Sequence, residues 1–221
     1  MEHSMPIPDF TRLEKRLRLY IVRHGESVGN SQGILQGQKN YPLSELGREQ
    51  SHSAAQYLAD RGIECILTSP LLRAKETAGI IASAAALPAP QEDDRLMELK
   101  TGIFTGMTVR EIEREYPVEW NAFRQNSWEA VPEAESIDSL WTRAVAVWNQ
   151  IIETANNGKR HILVVTHGGF IQWLLKTSMG APPLWMPLMP TANCGIFEYL
   201  AYPVPEKSYY GSWLSINQLP Y

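Results

Sequence analysis

Two four-residue runs, Leu-Tyr-Ile-Val at 19–22 and Ile-Leu-Val-Val at 162–165, are apolar at every position apart from the phenol of Tyr20. A strand with one wet face alternates polar and apolar residues. A strand covered on both faces does not, so these runs read as buried strands at the centre of a sheet. Both stop abruptly. The first runs into Arg23-His24-Gly25 and the second into Thr166-His167-Gly168-Gly169. A third run, 65–68, meets Ser69-Pro70, with Arg73 one turn beyond. Each strand therefore delivers basic or imidazole side chains at its carboxyl end.

The segments between these runs have helical character. Ser44 can cap a helix over 44–60, where Leu46, Gln50, Ala54, Tyr57 and Leu58 give a partly apolar face and Arg61-Gly62 ends it. A helix over 71–86 stops at the Leu87-Pro88-Ala89-Pro90 break. The clearest periodicity lies in 136–155, where Ile137, Leu140, Trp141, Ala144, Val145, Trp148, Ile151 and Ile152 share one face and Asn156-Asn157-Gly158 closes the helix. A further helix is expected over 170–177, and two more strands over 195–201 and 212–217. Strands alternating with helices predict a three-layer α/β/α sandwich with a mostly parallel central sheet. In such sheets ligands collect beyond the carboxyl ends of the strands.

One domain is expected over 1–221, with a short polar arm at 1–18 and an insertion at 91–136. The insertion is rich in loops and holds Phe104, Trp120, Phe123 and Trp128. Short helices near 109–116 and 118–124 would make it a cap, with the last three aromatic residues as its core. The Pro-rich stretch 182–190 fits either a homodimer interface or a packed link.

Composition removes several function classes. With 44% hydrophobic and 20% charged residues, the 221-residue chain can build an ordinary core without a disulfide or metal staple. The net charge of −4 and the absence of a basic stripe argue against nucleic acid as a partner. No apolar run approaches the roughly 20 residues that span a bilayer, so no membrane partner is expected. Cys65 and Cys194 sit far apart in apolar runs and form no CxxC pair. They read as reduced core residues of a cytoplasmic protein.

If the three strands are parallel, Arg23, His24, Arg73 and His167 converge on one edge. A tetrahedral dianion is the natural guest. A phosphate monoester carries between one and two negative charges near neutral pH, and arginine binds it through paired, charge-assisted hydrogen bonds. The amides of glycine-flanked turns and helix amino-termini add donors.

Arg23-His24-Gly25-Glu26-Ser27 with Asn30 resembles the opening motif of the histidine phosphatase superfamily, the phosphoglycerate-mutase-like proteins. Three further segments follow in the family's order: Gly37 with Pro42-Leu43-Ser44 and Gly47, Ser69-Pro70-Leu71-Leu72-Arg73-Ala74 with Thr77-Ala78, and Thr166-His167-Gly168-Gly169. The resemblance runs from Leu19 to Asn217. It implies His24 as a nucleophile that attacks phosphorus as a neutral imidazole and becomes a phosphohistidine. The free pKa of histidine, roughly 6.5, permits this, and Arg23 and Arg73 should lower it further. The family places a carbonyl, at Gly25, on the other ring nitrogen. Arg23, Arg73 and His167 would hold the three equatorial oxygens, with Asn30 and Gly168 completing the phosphate site. Glu98, in Arg95-Leu96-Met97-Glu98-Leu99-Lys100, matches the general acid and base. No cofactor is implied and no metal ligand cluster is visible. The family often has an acidic residue where Asn40 stands, and an aromatic or small one near Lys100, positions expected to tune substrate choice. Glu26 reads as loop support. His3, His52 and His161 lie outside the motifs.

Within the family the expected branch is the phosphatase, acting on a small-molecule phosphate monoester. A mutase must hold a second anionic group, yet between Lys100 and Glu135 four basic residues face seven glutamates. The distance from Glu98 to His167 is also short for the mutase-like branch. A phosphoglycerate-type mutase is the alternative, and a catalytically weak binding or regulatory module is the second.

Overall fold

The computed structural model describes residues 5–125, 127–205 and 208–221. In chain order the elements are β1 (Leu17–Arg23), α1 (Val28–Ser31), β2 (Ile34–Leu35), α2 (Glu45–Leu58), β3 (Cys65–Thr68), α3 (Leu72–Ala84), β4 (Gln91–Glu92), β5 (Met107–Thr108), α4 (Val109–Glu115), α5 (Pro117–Gln125), α6 (Ile137–Asn156), β6 (His161–Thr166), α7 (Gly168–Met179), β7 (Ile196–Val204) and β8 (Ser208–Gln218). Six strands form one sheet in the order β4-β3-β6-β1-β7-β8. The first four are mutually parallel, whereas β7 runs antiparallel to both β1 and β8. The sheet is thus mostly parallel, as expected, and its four parallel strands carry the motifs.

The two central strands are covered on both faces, as their unbroken apolar runs require. Leu17, Leu19 and Ile21 of β1 pack with Ile162 and Val164 of β6 against α6 and α7. The alternate residues, Tyr20 and Val22 with Leu163 and Val165, pack against α2 and α3. Two hydrophobic layers thus clamp β1, β6 and β3. A third, smaller cluster is built on Phe104, Ile112 and Val131 inside the 91–136 segment. There the two-residue strand β5 pairs with β2.

Several elements depart from expectation. The buried face of α2 is Gly47, Gln50, Ser51, Ala54, Ala55 and Leu58, while Leu46 is exposed. The amino-terminal arm is not merely polar: Phe10 and Leu13 are buried, and the Phe10 ring packs on Trp148, Tyr199 and Tyr209. Cys65 and Cys194 are free and buried, as expected. His52 is exposed and His161 bonds the Arg61 carbonyl, away from the site; His3 lies outside the described residues. No helix among the described residues is long and apolar enough to cross a membrane.

Candidate active site

Because β6 lies between β3 and β1, the carboxyl ends of all three meet side by side. Arg23 pairs with Thr166, and Thr68 with Val165. The ladder continues one residue further on each side: the His24 N–H donates to the Thr166 carbonyl (2.9 Å) and the Ser69 N–H to the Val165 carbonyl (3.0 Å). His24, Ser69 and His167 are fixed by this backbone before any side chain is considered. After His24 the chain must turn under α2. A Cβ on Gly25 would lie 2.4 Å from the Gly47 carbonyl oxygen, and one on Gly47 would lie 1.9 Å from that of Glu26. Only glycine at both positions allows that crossing. Glu26 supports this turn, accepting from the Ser44 hydroxyl.

The His24 ring is buried and its Nδ1 lies 2.7 Å from the Gly25 carbonyl oxygen. A carbonyl only accepts, so Nδ1 carries the proton and Nε2 holds the lone pair. Arg73 Nε donates to that lone pair at 3.2 Å. Burial first, then the charges of Arg23 and Arg73, hold the imidazole well below its usual pKa, so it is neutral.

Arg73 is 1% exposed, and its other donors hold the carbonyls of Lys39 (2.9 Å) and Gly37 (2.8 Å). Burial, with Arg23 adding and Glu98 opposing, pulls its pKa down to about 10. Gly37 sits at φ +50°, and a Cβ there would meet the Thr101 hydroxyl, so glycine is needed to aim its carbonyl. Asn40 caps α3: its Oδ1 accepts from the Leu72 N–H at 2.9 Å. That gives Asn40 a part in holding the helix that carries Arg73.

Arg23 is anchored from the opposite side, Nη1 donating to the Thr191 carbonyl at 2.6 Å. His167 is fully buried beneath the floor, its ring 5.1 Å from that of His24. Its Nε2 lies 2.7 Å from the Ser69 hydroxyl, which accepts from the Leu71 N–H. The hydroxyl proton is thus free to point at Nε2, which leaves the His167 proton on Nδ1. Burial first, then Arg73, His24 and Arg23, holds this imidazole neutral too.

Among the described residues, four buried side-chain polar atoms lack a partner, and two of them are Arg23 Nε and His167 Nδ1. Unpaired buried donors carry a cost. Here both belong to neighbours of the His24 ring, that of His167 lying 5.1 Å away. Asn30 adds a third donor. Its Oδ1 is engaged by the Ser27 N–H (3.1 Å) and Asn193 Nδ2 (3.4 Å), which leaves its amide group for the cavity it lines.

Glu98 lines the same cavity as Arg23, His24 and Arg73. Its carboxylate accepts from the N–H groups of Leu99 (3.0 Å), Gly169 (3.2 Å) and Phe170 (3.0 Å). The amides at the start of α7, expected to serve the guest, are thus taken by Glu98. Gly168 does not line the cavity. It packs against Arg23, where a Cβ would lie 3.2 Å from Nε, and Gly169 faces the cavity instead.

Three contributors were not visible in the sequence. Thr191 and Asn193 hold Arg23, His24 and Asn30 from just beyond the Pro-rich stretch 182–190. The polar break Thr191-Ala192-Asn193 after Pro190 was the available signal. Trp185, from within that stretch, lines the cavity beside Trp120, Phe123 and Trp128. Those three are therefore cavity wall as well as cap core.

Residues 19–203 match the histidine phosphatase superfamily (branch 1). A Yersinia enterocolitica protein named "Probable phosphoglycerate mutase GpmB" is 36% identical over 184 residues, 81% of this chain and 83% of its own. Among solved structures, mycobacterial hydrolase 1 superposes with a TM-score of 0.81 at 26% identity, covering 93% of this chain and 99% of its own. A mycobacterial glucosyl-3-phosphoglycerate phosphatase solved with VO3 gives 0.77 at 27%, covering 92% and 99%. The four sequence motifs, the sheet order and the matched span agree: this chain belongs to branch 1 of the histidine phosphatase superfamily.

Proposed function

We propose that the protein is a phosphatase that hydrolyses a small-molecule phosphate monoester through a phosphohistidine on His24. The observation that carries this reading is the paired state of the His24 ring: Nδ1 is fixed on the Gly25 carbonyl, and the Nε2 lone pair faces the Arg73 guanidinium, with the charge of Arg23 also acting on the ring. Nε2 attacks phosphorus and the bond to the ester oxygen breaks. That oxygen takes a proton from Glu98, which must enter the step as the protonated carboxylic acid, and leaves as an alcohol. The charge on the three equatorial oxygens falls to Arg23, Arg73, His167 and Asn30. Water then attacks the phosphohistidine, Glu98 takes its proton, and the N–P bond breaks to release phosphate. Two buried guanidinium groups match a dianion in charge, so the reaction is assigned no metal. VO3 bound by a solved neighbour supports an oxyanion at this floor. The two free, buried cysteines support a cytoplasmic setting.

The name of the Yersinia relative favours a second reading, a mutase that returns the phosphoryl group to another oxygen of the substrate. A panel assay separates the two. Wild type, with chelator present, is expected to release phosphate from p-nitrophenyl phosphate, and His24→Ala is not. Isomerisation of 3-phosphoglycerate faster than phosphate release would replace the phosphatase reading with the mutase.

A further inference from the structure

Beyond the phosphoryl floor the cavity, about 380 Å³ in volume, changes character. One wall is Leu35, Val109 and Ile112, and the other is aromatic. Trp185 reaches out of the 181–195 link and closes on Phe123 (centroids 4.6 Å apart) and on Trp128 (5.3 Å, planes 20° apart). Trp120 stacks on Phe123 at 5.3 Å. Two independent parts of the chain thus meet to build one apolar wall.

Most polar groups along that wall are committed, Trp185 Nε1 and the Gln36 amide nitrogen excepted. Trp120 Nε1 donates to Glu113 and Trp128 Nε1 to the Lys100 carbonyl. The Thr101 hydroxyl pairs with that of Thr105, and Gln36 Oε1 accepts from Ser27. Among the described residues lining the cavity, Arg23 and Arg73 are the only cations, and both belong to the floor. A carboxylate or a polyol chain on the alcohol would lose its hydration here against a few neutral donors and no further cation. An apolar group would displace water from ring faces.

We infer that the substrates are monoesters of an apolar alcohol, with a flat aromatic or alicyclic group within one or two carbons of the ester oxygen. This rests on the phosphatase reading and narrows it. The test compares kcat/KM for benzyl phosphate, ethyl phosphate and 3-phosphoglycerate, all with alkoxide leaving groups, so that the chemistry is matched. Wild type is expected to prefer benzyl over ethyl phosphate by about 100-fold, from burial of the ring, and to turn over 3-phosphoglycerate no better than ethyl phosphate. Trp185→Ala, and separately Trp120→Ala on the cap side, should each lower the benzyl value by about tenfold for the area lost. Ethyl phosphate should change less than twofold, which also reports an intact fold. A preference for 3-phosphoglycerate over benzyl phosphate would overturn the inference and leave the phosphoryl chemistry standing. Equal losses on both alkyl esters in the two variants would overturn it too. Turnover of no ester at all would overturn the phosphatase reading, and this inference with it.

Discussion

Arg73→Met should abolish activity while leaving the empty protein nearly as stable as wild type. The guanidinium is 1% exposed and its pKa is pulled down to about 10, burial being the main cause. The unfolded chain holds that proton more tightly than the folded one. Charging Arg73 in the fold therefore costs a few kcal/mol, at about 1.36 kcal/mol per pKa unit. The cost is constant below pH 10 and is relieved as pH rises above 10. Methionine removes this cost and fills much of the stem's volume. It also strands the carbonyls of Lys39 and Gly37, at about 1–3 kcal/mol each. The two sides nearly cancel, so the net change should lie within about 2 kcal/mol, less than the ~3–5 kcal/mol lost when one member of a buried ion pair is deleted. The kcat/KM value should fall about 10³-fold, as for a lost oxyanion donor. Urea unfolding with and without vanadate reads both halves. At 100 times its dissociation constant, vanadate should stabilise wild type by about 2.7 kcal/mol and should leave Arg73→Met unmoved. A loss above about 4 kcal/mol without ligand would make Arg73 chiefly a structural brace by the same scale. An equal vanadate shift in both proteins would remove it from the anion site.

Glu98→Gln should slow benzyl phosphate by about 10²–10³-fold, within the range of general-acid effects, and p-nitrophenyl phosphate far less, since nitrophenolate leaves without a proton. Equal slowing would move the acid elsewhere. His24 and His167 are buried and neutral, with folded pKa values well below 6.5. The unfolded chain thus binds more protons as pH drops below 6.5, and stability should fall there by up to about 2.7 kcal/mol per pH unit for two sites. Urea midpoints at neutral and acidic pH check this, and His24→Ala should flatten the slope. Arg143→Met should cost about 3–5 kcal/mol. Arg143 is paired with Glu135 at 2.8 Å, both little exposed, and it also holds the carbonyls of Arg95 and Met97. Adding Glu135→Leu should recover part of that loss in the same unfolding assay.

The parallel half of the fold was legible because its signals are local. The run at 65–68 is a strand with those bounds, since Pro70 has no N–H to carry the ladder past Ser69. Helix α6 follows from its unbroken apolar face, and Ser136 caps it as Ser44 caps α2. The four basic and imidazole residues lie at the ends of three strands, so the order of those strands alone brings them together. What was missed depends on distant pairing. The two-residue ladder of β2 with β5 has no period to read. Phe10 and Leu13 are diluted among polar neighbours, and only β7, β8 and α6 reveal the surface they cover. Trp185, Thr191 and Asn193 enter the site from within and just beyond a proline-rich stretch whose path is set by tertiary contacts. Glu98 was identified, but its place on the α7 amides was not, because helix starts were assigned to the guest rather than to a side chain.

The central claim is that phosphorus passes through His24, and the stereochemistry at phosphorus tests it most directly. Hydrolysis of a benzyl ester of chiral isotopic thiophosphate in labelled water gives a product whose configuration can be read. Each in-line displacement inverts phosphorus. Attack by His24 Nε2 followed by attack by water predicts net retention. Net inversion would mean that water attacks the ester directly, and would contradict the phosphohistidine.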